Sequence, residues 1–466
     1  MKNVSNERAE VRCGLLGGAI PLIAFFLAII VFSIYGIRGT KSYWSAGVVA
    51  MIISFFIFKD KDQFQKAVVD GVRDEVFVMS LLALYFAGIL SKTLTAGHLV
   101  NGLMWAASEV NLSPAIMPLA TFVITAAIAT ASGTSSGSVA TMTPVMLPLC
   151  VSMGCSAEII CGAIVSGAYF GDNLAPVSDT TIASAMTQEV SLGKVVRSRL
   201  KYSITGAVFA SIMFYIFGGA AVDVGAAATI KADASYAISV AYVILPILVV
   251  VLMICGKNLL TSLLLTDLIG MIMLLVLRDA GPVEILSAGG LIVSGIEGMQ
   301  GATILMMFAF IMNSLTRSTG FMDRMIDFVR MHAKTPRSSE CGIAAFICCL
   351  MIATGGNTAS IAVTGPMARR IMRPFRVARE RTANILDGMT SGVGCFVPHS
   401  PANATMASLA VSLGVVANES FSAFDYAKYN FHGMALIAIF WLAIFTGWGR
   451  RIETAEELLA DGIEVE

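Results

Sequence analysis

Ala131-Ser132-Gly133-Thr134-Ser135-Ser136-Gly137-Ser138 interrupts an apolar stretch, and Ala353-Thr354-Gly355-Gly356-Asn357-Thr358-Ala359-Ser360 interrupts another 222 residues later. Slid by that distance, 131–183 superposes on 353–405 without a gap. Ala131, Gly133, Ser138, Ala140, Pro144, Glu158, Pro176 and Ser178 then meet Ala353, Gly355, Ser360, Ala362, Pro366, Glu380, Pro398 and Ser400. The matches include the glycines and prolines that let a helix turn or force it to break. The same shift carries the apolar run 14–36 onto 236–255. Two chance apolar stretches would not keep their breaks in register, so the chain reads as a duplicated unit.

What surrounds these stretches is membrane-like. Of 466 residues 56% are hydrophobic and 13% charged, with a mean hydropathy of +0.80; a soluble chain carries about 25% charged residues. The formal net charge is zero, which gives no reason to expect a nucleic-acid partner. The nine cysteines form no C-x-x-C pair, and Cys150, Cys161, Cys255, Cys348 and Cys349 sit in apolar runs. They read as small buried hydrophobes, not as a disulfide or zinc framework. Crossing a bilayer takes about 20 apolar residues in a helix. Runs near that length occur at 14–36, 43–58, 75–91, 200–220, 236–255, 259–277, 299–316 and 430–449, with interrupted ones near 156–190 and 383–416. The first run is too long for a signal-peptide core and lacks a small-residue cleavage site, so it reads as a retained helix. Segments 113–153 and 341–368 fold back at the quoted tips and read as re-entrant hairpins.

Lys and Arg set the orientation. With the N-terminus inside and both hairpins returning to their own side, all of the 31 basic residues except Arg38, Lys41, Lys92, Lys231, Arg278 and Lys428 are cytoplasmic. The count includes 194–201 and the arginine run 369–381. Residues 93–193 hold no Lys or Arg. The expected fold is an all-α polytopic membrane protein of two inverted repeats, 1–221 and 236–451. Each has five spans and one hairpin, and a cytoplasmic tail at 452–466 follows. An odd number of spans per repeat turns the second upside down, which is the sequence mark of alternating-access transporters.

Irregular backbone at membrane depth survives only where protein or a water-filled cavity satisfies it, so the tips and breaks locate the site. The tips offer Thr134, Ser135 and Ser136 in one half and Gly356, Asn357 and Thr358 in the other; hydroxyls, amide oxygens and freed carbonyls can replace water around a cation. In Gly171-Asp172-Asn173-Leu174-Ala175-Pro176-Val177-Ser178-Asp179-Thr180-Thr181, two acids flank a proline inside an apolar stretch. In an unbroken helix they would share a face. A desolvated carboxylate can exchange a proton for a cation near neutral pH, and intramembrane acids are functional candidates. The bland alternative makes Asp179 a helix cap. Asp172 and Asp179 are therefore the expected sodium ligands, with Asn173, Ser178, Thr180 and Thr181 beside them. In the second half Gly394 and Pro401 stand where the acids would be, and His399, Ser400 and Asn403 are the polar candidates. Glu158 and Glu380 fit helix starts; Asp267 and Asp387 are further acids with no assigned role.

Gly171-Asp172 through Ser178-Asp179-Thr180-Thr181 resembles the G-D-x-x-x-P-x-S-D-T-T signature of the NhaC-type sodium/proton antiporter family, within the ion-transporter superfamily. Thr130 to Ser138 is similar to that family's T-G-T-S-W-G-T hairpin, with Ser136 in place of Trp. Leu386-Asp387, then Pro398 to Ala407, resembles its L-E-D and I-P-W-N-T pattern, with His399-Ser400-Pro401 replacing the Trp-Asn pair. The resemblance covers nearly the whole chain and implies a cation-coupled carrier of the bacterial inner membrane, with sodium and protons as coupling ions and no other cofactor. It also allows a homodimer, as in the wider superfamily. The leading expectation is sodium/proton antiport. The alternative is cation-coupled carriage of a small carboxylate or amino acid, whose acid group half-helix N-termini can hold. A channel fits inverted broken helices less well. An intramembrane aspartyl protease would need a G-x-G-D motif, and Tyr169 stands where its first glycine belongs.

Overall fold

The computed structural model describes residues 9–12, 14–35, 37, 39–109, 113–220, 233–416, 421–454 and 457. Lys2, Arg8, Arg38 and Lys231 of the charge count, and most of the 452–466 tail, lie outside them. Nearly all of the described chain is helical, and no strands occur among the described residues. The first half runs α1 (Gly14–Ile34), α2 (Tyr43–Ile57), α3 (Lys61–Val72), α4 (Glu75–Ala96), α5 (Leu99–Glu109), α6 (Met117–Ser132), α7 (Ser135–Ser152), α8 (Ala157–Leu174), α9 (Asp179–Thr187) and α10 (Leu192–Ala220). The second half opens with a 3-10 segment, Ala234–Val243, continued by α11 (Ile244–Ile254). It goes on through α12 (Leu259–Leu277), α13 (Pro282–Leu286), α14 (Leu291–Ser318), α15 (Phe321–His332), α16 (Pro336–Thr354) and α17 (Asn357–Met372). It ends with α18 (Arg379–Gly394), α19 (Pro401–Ser412), α20 (Ala423–Tyr426) and α21 (Phe431–Thr446).

Eight helices are long and apolar enough to cross a membrane among the described residues, or nine if the bent pair Ala423–Tyr429 and Phe431–Thr446 is one span. This set differs from the ten spans expected. The shorter α2 and the broken pairs α8/α9 and α18/α19 fall outside it, whereas α6 and α16, the first arms of the expected hairpins, fall within it. Exposed apolar side chains such as Ile23, Leu27 and Ile30 on α1, Ile204, Val208 and Ile212 on α10, and Leu264, Leu265 and Leu268 on α12 form the surface that lipid covers. The interior holds serines, threonines and charged groups.

Helix boundaries follow the 222-residue spacing. α5 and α15, α7 and α17, α8 and α18, and α9 and α19 start that far apart, and α6 and α16 end that far apart. The chemistry at the matched turns agrees. Gly133 (φ 68°) and Gly355 (φ 67°) close α6 and α16 in the left-handed region, where an L side chain is strained, and donate to Ala129 O at 2.8 Å and Met351 O at 2.9 Å. Inside each turn a hydroxyl pair closes the loop: Ser132 with Ser138 at 3.2 Å, and Thr354 with Ser360 at 2.8 Å. Each turn leans on its own half's break. A Cβ on Gly133 would lie 2.9 Å from Val177, and one on Gly355 2.6 Å from His399.

Candidate substrate and cation site

Both turns and the first break face one cavity of about 430 Å3. The first turn lines it with Thr134, Ser135 and Ser136, and the second with Gly356, Asn357 and Thr358. The break between α8 and α9 contributes Asp172, Ser178, Asp179 and Thr180. Helices α7, α9, α17 and α19 all start at its wall, so the positive ends of four helix dipoles lie at it.

Pro176 supplies no N–H, so α8 stops at Leu174 and the chain restarts at Asp179. Asp172, in the last turn of α8, is 4% exposed. Ser178 Oγ donates to its Oδ1 at 2.5 Å. The same Ser178 oxygen accepts the Thr180 N–H at 3.3 Å and thereby caps α9. Ser135, at the start of α7, turns its hydroxyl and N–H toward Asp172 as well. Asp179 is not the cap; it is the first residue of α9, exposed on the cavity wall. The break therefore separates the acids that an unbroken helix would have aligned. One carboxylate is buried and held by donors, and the other is wet.

Asn173 and Thr181 lie behind the wall, in a network that the charge count missed. Arg199 belongs to the segment 194–201, which reads from its charge as cytoplasmic; within the fold it is fully buried and pairs with Asp387 of α18, equally buried, at 2.6 Å. The guanidinium also donates to the Asn173 carbonyl, to Thr181 Oγ1 at 2.8 Å and to Asn384 Oδ1 at 2.9 Å. Thr181 Oγ1 donates to Asp387 at 3.3 Å, and Ser203 to Asn173 Oδ1 at 2.8 Å. Arg199 thus takes a carbonyl that the break set free and ties α8, α9 and α18 together, within electrostatic reach of Asp172. Two arginines of the run 369–381, counted as cytoplasmic, also make buried contacts. Arg381 is buried on Glu340 at 2.5 Å and on the Ala443 carbonyl at 2.9 Å, and Arg379 meets Glu453 at 3.2 Å.

At the second break the polar groups serve the backbone. Asn403 Nδ2 donates to the Gly394 and Val397 carbonyls, both at 2.9 Å, and its Oδ1 accepts from Tyr426 at 3.0 Å. Ser400 caps α19, and Asn430 Nδ2 reaches the Cys395 carbonyl. His399 is buried behind the second turn, 5.2 Å from the Phe26 ring, and neither ring nitrogen has a hydrogen-bond partner among the described residues. None of His399, Ser400, Asn403 and Asn430 lines the cavity. A side chain at Gly394, the position matching Asp172, would strike the Tyr169 ring at 2.8 Å; Tyr169, which does line the cavity, fills the place of a second acid.

Sequence reading also missed Glu75 and Asn258 on the cavity wall. Both sit at a helix start, Glu75 in the first turn of α4 and Asn258 as the cap of α12, and their signal is that of ordinary capping. Glu158 and Glu380 do occupy the first turns of α8 and α18. Of the cysteines read as buried, Cys150 and Cys161 are, whereas Cys255 and Cys349 are exposed.

These features define a polytopic helical membrane protein with a polar cavity among broken helices and a buried carboxylate at its wall. The chain belongs to the Na+/H+ antiporter family, whose model matches residues 8–219 and 221–448; the family is one of transporters. The Na(+)/H(+) antiporter NhaC of Bacillus subtilis (strain 168) is 24% identical over 450 residues, covering 89% of this chain and 94% of that protein. The Malate-2H(+)/Na(+)-lactate antiporter of the same strain is 27% identical over 256 residues, a match that spans about half of each chain, 53% and 54%. Among solved structures, Neisseria gonorrhoeae MtrF, described with a class of antimetabolite efflux pumps, aligns over 91% of this chain and 95% of its own. The identity there is 13% and the TM-score 0.41.

Proposed function

We propose that this chain exchanges sodium for protons across a bacterial inner membrane by alternating access. The observation that carries the reading is Asp172. It is a buried carboxylate at a helix break, held by Ser178 and faced by Ser135, in the wall of a cavity that both turns reach. Oxygen donors from Asp172, Asp179, Thr134, Ser135, Thr180 and Asn357 suit a small hard cation. Sodium and protons would compete for them, and that mutual exclusion couples the two fluxes.

Alternating access calls for inverted repeats, and the course of α8 and α18 along α21 favours them. α8 starts near the start of α21, where Gly162 abuts Tyr429 and Glu158 pairs with Lys428 at 2.5 Å. α18 starts near the end of α21, where Glu380 pairs with Arg451 at 3.1 Å, and its Gly388 and Gly392 abut Phe440 and Ile437 in turn. The matched helices thus run in opposite senses beside one shared helix of about 24 Å. Segments 113–153 and 341–368 would then be re-entrant hairpins entering from opposite faces. The cavity reaches Glu75 and Asn258, next to the basic segment ending at Arg73 and to Lys257. This supports a cytoplasmic opening with both termini inside.

The size of the cavity favours a second reading. About 430 Å3 exceeds what one sodium ion needs, and four helix starts suit a carboxylate. A small organic acid or amino acid carried against or with the cation is that alternative, in keeping with the name of the malate/lactate relative. Purified protein in proteoliposomes decides: an imposed sodium gradient should drive protons the other way without added solute. Accumulation of an organic acid with no proton movement in its absence would establish the second reading instead.

A further inference from the structure

Asp267 takes no part in the site above. It lies in the middle of α12, 2% exposed, on the buried face with Leu263, Gly270 and Leu274; the opposite face, Leu264, Leu265 and Leu268, meets lipid. Neither carboxyl oxygen has a hydrogen-bond partner among the described residues. α12 packs on α4 and α11, and a Cβ at Gly270, one turn beyond, would lie 2.7 Å from Thr93 and 3.0 Å from Leu245. Neither neighbour offers a counter-charge at this level. α4 carries Glu75 at the cavity wall, Tyr85, and Lys92, whose amine donates to the Ser412 carbonyl at 2.7 Å. α11 carries no charged residue. Asp279, beyond the far end of α12, accepts from Tyr242 at 2.6 Å. A carboxyl in such surroundings is tolerated only with a proton on it.

The acid is also connected. Asn258, Ser262 and Thr266 recur every four residues along the same face and so form one row. Asn258 is on the cavity wall, Ser262 donates to its carbonyl at 3.0 Å, and the Thr266 hydroxyl, beside Asp267, has no partner among the described residues. From Leu260, also at the wall, Asp267 is about 10 Å further along the helix. Asp172 is surrounded by donors that suit an anion; Asp267 has none. Two carboxyls in such contrasting surroundings serve different tasks.

We propose that Asp267 is a proton-binding site in its own right, reached from the cavity along Asn258, Ser262 and Thr266, and separate from the cation site at Asp172. Its role in coupling rests on the sodium/proton reading; its occupancy by a proton does not. N,N′-dicyclohexylcarbodiimide, an apolar reagent for protonated membrane carboxyls, tests it on the purified full-length protein with peptide mass spectrometry. An adduct on Asp267 that fades as pH rises and is indifferent to sodium supports the site. No adduct at any pH, or protection by sodium equal to that at Asp172, overturns it. Asp267→Asn should keep sodium binding, read as a sodium-dependent rise in melting temperature, and lose sodium-driven proton movement, while Asp267→Glu restores it. Wild-type exchange by Asp267→Asn, or loss of its sodium binding, counts against the proposal. Should Asp267→Asn fail to assemble, the wild-type labelling still decides. A wild-type protein that moves no protons against sodium ends the antiport reading and leaves the labelling result standing.

Discussion

The two helix breaks start from the same local geometry and end with opposite chemistry. In each, a proline stops the first helix and a serine caps the second. At the second break the neutral amides of Asn403 and, from the start of α21, Asn430 take up the Gly394, Val397 and Cys395 carbonyls. At the first break the Asn173 carbonyl is taken by a charged group, Arg199, itself paired with Asp387, and Ser178 holds a carboxylate at the cavity. The second break thus meets the cavity only through the first turn of α19, at Pro401 and Ala402, and Thr405, whereas the first brings two carboxylates to its wall.

The comparison is broken most directly at Asp172. Asp172→Asn keeps the size and the hydrogen bond from Ser178 but removes the charge, and sodium-driven proton movement in proteoliposomes should disappear. Full flux in that variant would move the site elsewhere in the cavity. Next comes the arginine that serves only the first break. Arg199→Met leaves Asp387 buried and unpaired, which costs about 3–5 kcal/mol; denaturant unfolding in detergent reads the loss. Arg199→Met with Asp387→Leu should recover most of it, because the orphaned charge is gone. If the double variant is as unstable as the single one, the pair is not what ties α8, α9 and α18 together.

How much of this was legible in the sequence differs between the breaks. Turns and breaks are local events, written in Gly133, Gly355, Pro176 and Pro398, and the 222-residue register was readable from them. Arg199 was not, because Lys194, Arg197 and Lys201 around it make a run that reads as cytoplasmic. Its only signal is helical phase: Val195, Arg199, Tyr202 and Gly206 share the buried face of α10. The partner Asp387 is 188 residues away, and no local pattern joins the two. His399, Ser400 and Asn403 were legible as polar residues at a break. Whether their valences end on a ligand or on their own backbone depends on carbonyl positions that only the folded chain supplies.

A smaller effect sharpens the structural side of the comparison. Asn403→Ala removes one donor from each of two buried carbonyls, which keep the Val397 and Ser400 N–H groups, and takes the 3.0 Å acceptor from the buried Tyr426 hydroxyl; losses of this kind cost about 1–3 kcal/mol. Stability should fall by an amount in that range once waters or neighbours relax, while the sodium concentration for half-maximal exchange stays unchanged. A shift in that concentration with little loss of stability would assign Asn403 to the ligand after all.

The smallest effect is expected at His399, and it is the most discriminating for the role of the second break. Val177 occupies the matching position, and both side chains press on the glycine of their own turn. His399→Val therefore installs the residue that the scaffold already accepts there. Two contributions oppose each other: the imidazole's unpartnered nitrogens no longer have to be buried, which favours the variant, and the smaller side chain leaves space against Phe25 and Phe26, which disfavours it. Each is of order 1–2 kcal/mol, so the melting temperature should barely move. The pH dependence of exchange should be that of the wild type, because a ring shielded from the cavity by Gly355 has no route to the transported proton. A shifted pH profile in a normally stable His399→Val protein would place a titrating group at the second break and restore symmetry to the site.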